Sequence, residues 1–347
     1  MIEIDGSTHS GSGTLLRHAV ALATLLRQPL HMVNIRARRE KPGLRAQHLQ
    51  VVRACCSFCN GELHGDELGS LEITFRPGKA LRSGEFQWDI GTAGSTTMLA
   101  FSLIPLALFA PGPCRLSFIG GLFQDFAPSA FHMQNLLIPL LRRMGADIRM
   151  EILRPGYPPK GQGKMTLETK PILQTLKPIH LTEQGKIKKT QGIAMASHLE
   201  REKVSERMAA HCYTLLRDQG LKAEIQVLND HTAAQKGAAL LLWAHTCTGA
   251  LIGADQAGKP GRRSETIAEF VVSSFLEDLQ TKAVVDRHLA DQLIAFAALA
   301  SGTTQVSIPR VTDHVLSNLW LVEKFLGTKA TWRENQLLVE GIGLQRN

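Results

Sequence analysis

The chain opens on a strict alternation, Ile2 and Ile4 apolar against Glu3 and Asp5, which is the pattern of a half-buried strand. After a Gly-rich stretch the period changes: apolar residues recur at helical spacing over Gly13–Leu26, and His31–Ile35 reads as a strand again. A helix over Ala46–Asn60 and paired strands around Glu62 and over Leu71–Phe75 complete a βαβαββ unit. The same succession then returns. A strand at Phe86–Asp89, a helix after Gly94, a strand at Arg115–Ile119, a helix over Ser129–Met144 and strands at Asp147–Glu151 and Lys164–Glu168 form a second copy. The third has a helix over His288–Ala300, a strand at Thr304–Ile308, a helix over His314–Leu326 and strands at Lys329–Arg333 and Gln336–Val339.

A shared register supports the triplication. In each copy a His opens the second helix 13 residues before a Gly, as His48/Gly61, His132/Gly145 and His314/Gly327, with the Gly where a C-cap is expected. The segment between copies two and three breaks the pattern, with helical stretches at Leu199–Gln219 and Arg263–Gln280 around β-rich stretches at Ala223–Leu228 and Ala238–Ala250. The expected fold is α/β of the α+β kind, three repeated units in one large domain with a smaller inserted α/β domain. Residues 1–180 carry units one and two, 181–283 the insertion, and 284–347 unit three.

Composition narrows the class. Lys and Arg total 39 against 31 Asp and Glu, a net charge of +8 that suits a polyanionic partner such as nucleic acid or a phosphorylated substrate. Six cysteines make no disulfide framework for 347 residues, and the opening has neither a charged leader nor a cleavage site, so a reducing cytoplasm is expected. The CxxC at Cys56 and Cys59 sits on an apolar helix without a second ligand pair and reads as core packing. Met98–Pro113, the most apolar stretch, contains Pro105 and Pro111 and is too short to span a membrane.

Candidate chemistry gathers at strand-to-helix loops. Ile35–Arg45 carries Arg36, Arg38, Arg39, Lys41 and Arg45 around the turn formers Pro42 and Gly43, a composition suited to gripping phosphate, although a solvated loop would look similar. The Gly-rich turns Asp5–Gly13 and Ile90–Ser95 match neither a P-loop nor a dinucleotide fingerprint. Thr312 or Asp313 caps the last long helix and puts His314 in its first turn, where the macrodipole keeps an imidazole neutral and attracts anions. A neutral His beside a phosphate is a nucleophile; a packing role is the alternative. Asp291 and Gln292 fall in the first turn of the preceding helix, placed to hold a ribose or base edge or to complement the helix end.

In order along the chain, these motifs resemble the RNA 3'-terminal phosphate cyclase family. They are AspGly at Asp5 and Gly6 with Arg17, the Ile35–Leu49 stretch, IleGlyThrAlaGlySer at Ile90–Ser95, Gly120–Gly121, GlyTyrProProLysGlyGlnGly at Gly156–Gly163, GlyAlaAsp at Gly253–Asp255, GlyLysProGly at Gly258–Gly261 and HisLeuAlaAspGlnLeu at His288–Leu293. The resemblance implies an ATP-dependent ligase-type enzyme of RNA processing, converting a 3'-phosphate RNA end to a 2',3'-cyclic phosphate through an adenylylated histidine. It implies His314 as nucleophile, Arg17, Arg36, Arg39 and Gln47 as phosphate ligands, His288, Asp291 and Gln292 around the adenylate, and Mg²⁺ or Mn²⁺ with the nucleotide. RNA is then the partner, and no membrane is involved. Three positions depart from the family pattern: Ser10 stands at a usually acidic site, His288 at a usual Tyr, and LeuPheGlnAspPheAlaProSer follows Gly121 in place of a more polar run. A non-catalytic cyclase-like scaffold of RNA processing is the alternative, and an enolpyruvyl transferase fits the third-unit motif and the insertion poorly.

Overall fold

A computed structural model describes residues 1–346. Four four-stranded sheets carry the chain, and three of them share one topology. In the first sheet Leu30–Val33 runs parallel to Ile2–Asp5 and antiparallel to Ile73–Arg76, which pairs with Glu62–His64. The second repeats that order with Gly84–Asp89, Cys114–Gly120, Gly163–Lys170 and Asp147–Arg154. The third uses His180–Leu181, Ser301–Ser307, Gln336–Ile342 and Ala330–Arg333. The α+β repeat expected from the periodicities is therefore observed.

One strand escaped the periodicity. His180–Leu181 pairs in parallel with Ser301–Ser307, so the third copy begins before the inserted elements, which enter between this strand and its crossover helix Leu289–Leu299. Two residues cannot display a period. The inserted elements build a sheet in the order Ala223–Asp230, Ile187–Ser197, Gly237–Thr246 and Leu251–Ala257, with helices Val204–Asp218 and Ser264–Gln280 packed on it and on each other. Ile187–Ser197 begins inside the lysine cluster and is buried on both faces from Gly192 onward, which removes the alternation that would have marked it as a strand.

The repeated helices form a central layer. Gly13–Leu26, Thr96–Leu108 and Leu289–Leu299 meet where His18 lies edge-on to Phe101 at 5.2 Å and Phe101 meets Phe296 at 5.8 Å. His18 is buried there, and desolvation pushes its pKa down to about 3, so it is a neutral core residue. Thr96–Leu108 is apolar all round because it touches helices Gly13–Leu26 and Ala46–Cys59 on one side and its own sheet on the other. A stack of Phe58, Phe86, Trp88 and Phe118, with centroids 4.6, 5.5 and 5.6 Å apart, binds the first unit's helix to the second unit's sheet.

The second helix of unit two differs from the uninterrupted one expected. Ala130–His132 passes into a π-helical turn, Met133–Leu137, before Ile138–Arg143 resumes α geometry. Pro139 has no N–H for the ladder, and Asn135 Nδ2 donates to the Phe131 carbonyl at 2.9 Å, so the wider turn accommodates a gap that the sequence places there. The C-caps also vary: Gly327 takes the left-handed conformation itself, whereas in the first unit Asn60 does so and Gly61 follows.

Candidate active site

The loops after the parallel strands hold the candidate residues, as is general for open α/β sheets. Ser12 caps Gly13–Leu26 by accepting from the Thr14 N–H at 3.3 Å, which sets Thr14 and Arg17 on successive turns of that helix. Thr312 caps Asp313–Leu326 by accepting from the Val315 N–H at 3.2 Å, which puts His314 in the first turn. Such caps are worth about 1 kcal/mol each. They also fix where the side chains emerge.

These two helix starts meet. His314 Nδ1 lies 3.1 Å from Thr14 Oγ1, and Arg17 Nη2 donates to the same hydroxyl at 3.2 Å. With Nδ1–H donating to Thr14, the lone pair on Nε2 is left free. Burial lowers the His314 pKa, and the charges of Arg17, Arg39 and His288 lower it further against Asp313, so the ring is neutral at pH 7. Arg17 is itself pushed down to about 10 by burial, with Asp291 opposing, and stays cationic; its Nε is buried without a protein partner. Burial raises the Asp291 carboxyl to about 7 although Arg17 holds it down. A neutral imidazole, a cation and a carboxyl poised near neutrality thus share one site, a combination typical of functional centres.

The remaining sequence candidates take several positions. Arg39 is exposed and close enough to act on His314, Arg17 and His48. Arg36 spends one guanidinium nitrogen on the carbonyls of Lys41 and Gly43 at 2.8 and 2.7 Å, holding the basic loop in shape from a left-handed backbone. Gln47 accepts from the Ser95 N–H at 2.7 Å and so joins the first unit's second helix to the start of Thr96–Leu108. His288 precedes Leu289–Leu299 with its side chain exposed but crowded, and that crowding lowers its pKa despite Asp286. Gln292 is buried on the same helix. His48 is buried with its ring against Gly13, where any Cβ would collide with Nε2; burial and the surrounding arginines hold it well below the ordinary histidine range.

Several residues that organise the site carry no periodic signal. Thr14 is one. Asp286 is another: its carboxylate accepts from the His288 and Leu289 N–H groups at 2.8 and 2.9 Å, from Gly253 N–H at 3.2 Å and from His132 Nε2 at 3.1 Å. It therefore caps the helix bearing Asp291 and ties it to an inserted strand and to unit two. An Asp three residues before an apolar helical run is a start signal that could have exposed it. Asn318 Nδ2 donates to the Asp291 carbonyl at 2.9 Å, linking the two helices of unit three.

Ser10 has a defined place. Its hydroxyl is bonded to Ser12 Oγ at 3.0 Å and to Ser317 Oγ at 2.9 Å, and its N–H donates to Ser317 Oγ at 3.2 Å, which fastens the first Gly-rich turn to the His314 helix. Among the described residues no group of three His, Cys, Asp or Glu side chains gathers as a metal cage. A cation carried by nucleotide phosphates would need fewer protein ligands than such a cage. The thiols do not offer one either: Cys56 and Cys59 donate to the carbonyls of Gly61 and Cys55, and burial raises both pKa values. No helix among the described residues is long and apolar enough to cross a membrane.

Known proteins match along almost the whole chain. The family model described as RNA 3'-terminal phosphate cyclase matches residues 8–332. A Pyrobaculum aerophilum protein named RNA 3'-terminal phosphate cyclase is 35% identical over 349 residues, covering 99% of this chain and 99% of the relative. Relatives of that name from Ignicoccus hospitalis and Trichormus variabilis are each 37% identical, covering 94% and 98% of this chain and 93% and 98% of their own lengths.

Proposed function

Since the chain belongs to the RNA 3'-terminal phosphate cyclase family and is an enzyme of that type, we propose that it uses ATP to convert an RNA 3'-phosphate into a 2',3'-cyclic phosphate through an adenylate carried on His314. The observation that carries this reading is the His314–Thr14–Arg17 contact, in which Nε2 is the unprotonated nitrogen beside a buried cation when Nδ1–H donates to Thr14. Nε2 attacks the α-phosphorus of ATP; a P–N bond forms, the bond to the bridging oxygen breaks, and pyrophosphate leaves. A 3'-phosphate oxygen then attacks the same phosphorus, breaking the P–N bond and restoring the imidazole. The neighbouring 2'-hydroxyl, losing its proton, finally attacks the RNA phosphorus and expels AMP. The adenylate is required because a phosphate dianion has no competent leaving group.

Arg17 and Arg39 supply positive charge where it develops on the phosphates, which is the arrangement that lowers such barriers most. The start of Asp313–Leu326 adds its free N–H groups. Asp291, Gln292 and His288, at the start of Leu289–Leu299, would receive the nucleoside, and Arg36 and Gln47 shape the walls through the contacts described above. Incubation with ATP labelled at the α-phosphate should leave an acid-labile, alkali-stable adduct on the protein, and His314→Ala should leave none. Equal labelling of that variant would overturn the assignment.

A further inference from the structure

Phe126 is the most exposed large apolar side chain, with a relative exposure of 105%, and its backbone lies at φ 66°, a conformation that bulky residues rarely adopt. Single exposed apolar residues are ordinary, and most occupy mobile tips. This one does not. Asp125 is gripped by two guanidinium nitrogens of Arg262 at 2.8 Å each, the Pro128 carbonyl accepts from Thr97 Oγ1 at 2.8 Å, and the Ser129 N–H donates to Asp255 at 2.7 Å. On the other side the Leu122 and Phe123 N–H groups donate to the Gly156 carbonyl at 2.9 and 3.1 Å. The loop is held at both ends, and it presents one aromatic ring to solvent.

Its position relates it to the site. Gly121, where the loop begins, bridges to Ser95, whose N–H is bonded to Gln47. At its far end Ser129 caps the turn bearing His132, whose ring lies 6.1 Å from that of His288. Beside the loop runs the inserted turn Gly258–Arg263, where Lys259 and Arg263 are exposed and Lys259 Nζ lies 3.9 Å from Asp125. A rigid, open aromatic face flanked by cations is how proteins hold single-stranded nucleic acid, the ring stacking on a base and the cations tracking the backbone.

We propose that Phe126 is a stacking platform for a base near the 3' end of the RNA, with Lys259 and Arg263 contacting the adjoining phosphates. This rests on the cyclase reading above. The adenine of ATP is a poorer occupant, because the ring has no opposing wall and lies open at the surface, where a polymer end can reach across it.

The test compares Phe126→Ala and Phe126→Trp with wild type, using a fluorescent single-stranded RNA with a 3'-phosphate and a set of the same RNA with one abasic position moved stepwise from the end. Phe126→Ala should weaken RNA binding about tenfold, Phe126→Trp should retain it, and self-adenylylation with ATP alone should be unchanged in both. One abasic position should cost wild type a similar factor and cost Phe126→Ala nothing further, since the pair is then already broken. Additive losses at every position, or RNA affinity unchanged by Phe126→Ala, would overturn the proposal. So would a loss of self-adenylylation, which would assign the ring to ATP. A wild type that self-adenylylates but binds no 3'-phosphate RNA would overturn the platform and the substrate while leaving the nucleophile standing.

Discussion

His132 and His314 stand at equivalent places in units two and three, each near the start of a second helix and 13 residues ahead of a Gly, yet their surroundings drive them in opposite directions. His132 is fully buried, and although burial alone pulls its pKa down, the Asp286 carboxylate outweighs it and holds the ring charged above the ordinary histidine range. Asp286 in turn is lowered by that charge and by its backbone donors, against burial. His314 is partly buried among Arg17, Arg39 and His288, and every one of those influences lowers it. One scaffold position thus yields a structural ion pair in one copy and a free base in another. The deciding factor is the sign of the nearest charge, which neither helical period nor His/Gly spacing encodes.

The largest expected effects would break this comparison outright. His314→Ala should abolish the covalent adduct at a cost of about 1 kcal/mol in unfolding free energy, since the buried Thr14 hydroxyl loses the ring but keeps its bond to Arg17. His132→Leu should do the reverse in stability, costing about 3 kcal/mol in urea unfolding because Asp286 is left charged and buried. If the two variants lost similar stability, the division of roles would be wrong. Next in size, Arg17→Met should slow self-adenylylation about 100-fold at saturating ATP by removing a preorganised cation. It should also move the acid limb of the rate to higher pH, because a cation that lowers the His314 pKa is gone. A slower rate with the limb unmoved would leave Arg17 as a phosphate ligand only.

How far the site could be read in advance follows from the same contrast. The repeats were legible because helical and strand periods span many residues, and His314 because a cap, a first-turn position and a short loop coincide within Ile308–His314. His132 is followed by the apolar run Leu136–Leu141, which says nothing of its charge. Its partner Asp286 is 154 residues away, so the pair exists only once the sheets are assembled. Gln47 and Arg36 were placed near the right loops, but their bonds to Ser95 and to the Lys41 and Gly43 carbonyls depend on backbone turns that no spacing reveals. Ser10 read as the loss of a carboxylate; in three dimensions it is a fastening to Ser317 across the two helix starts.

A smaller effect tests how the His314 ring is held. Thr14→Val removes the hydroxyl facing Nδ1 while preserving shape at a buried position. The rate of adduct formation should fall about tenfold, equivalent to about 1.4 kcal/mol in barrier, with the KM for ATP and the acid limb of the pH profile unchanged. An altered KM would mean that Thr14 serves the nucleotide instead.

The smallest effect is the most specific, because it reads the opposite shifts directly in stability. His132 has a folded pKa above the ordinary 6.5, so its contribution is full below pH 6.5 and is lost as pH rises through the folded value. Asp286, lowered from 3.8, contributes above pH 3.8 and loses that contribution as pH falls through its folded value. His314 is lowered from 6.5, so the unfolded chain binds the extra proton first and stability rises with pH up to about that value. Below pH 6.5 His314 adds to a rise of unfolding free energy with pH that His18, His48 and His288 share and the raised Asp291 carboxyl opposes, and beyond it the His132 contribution declines, each group accounting for at most about 1.4 kcal/mol per pH unit. His314→Ala should lessen the acid-side rise, of which His18, His48 and His288 keep their share, and His132→Phe should flatten the alkaline decline. If either substitution altered the other's limb, the two rings would be coupled, and the separation of a structural from a chemical histidine would fail.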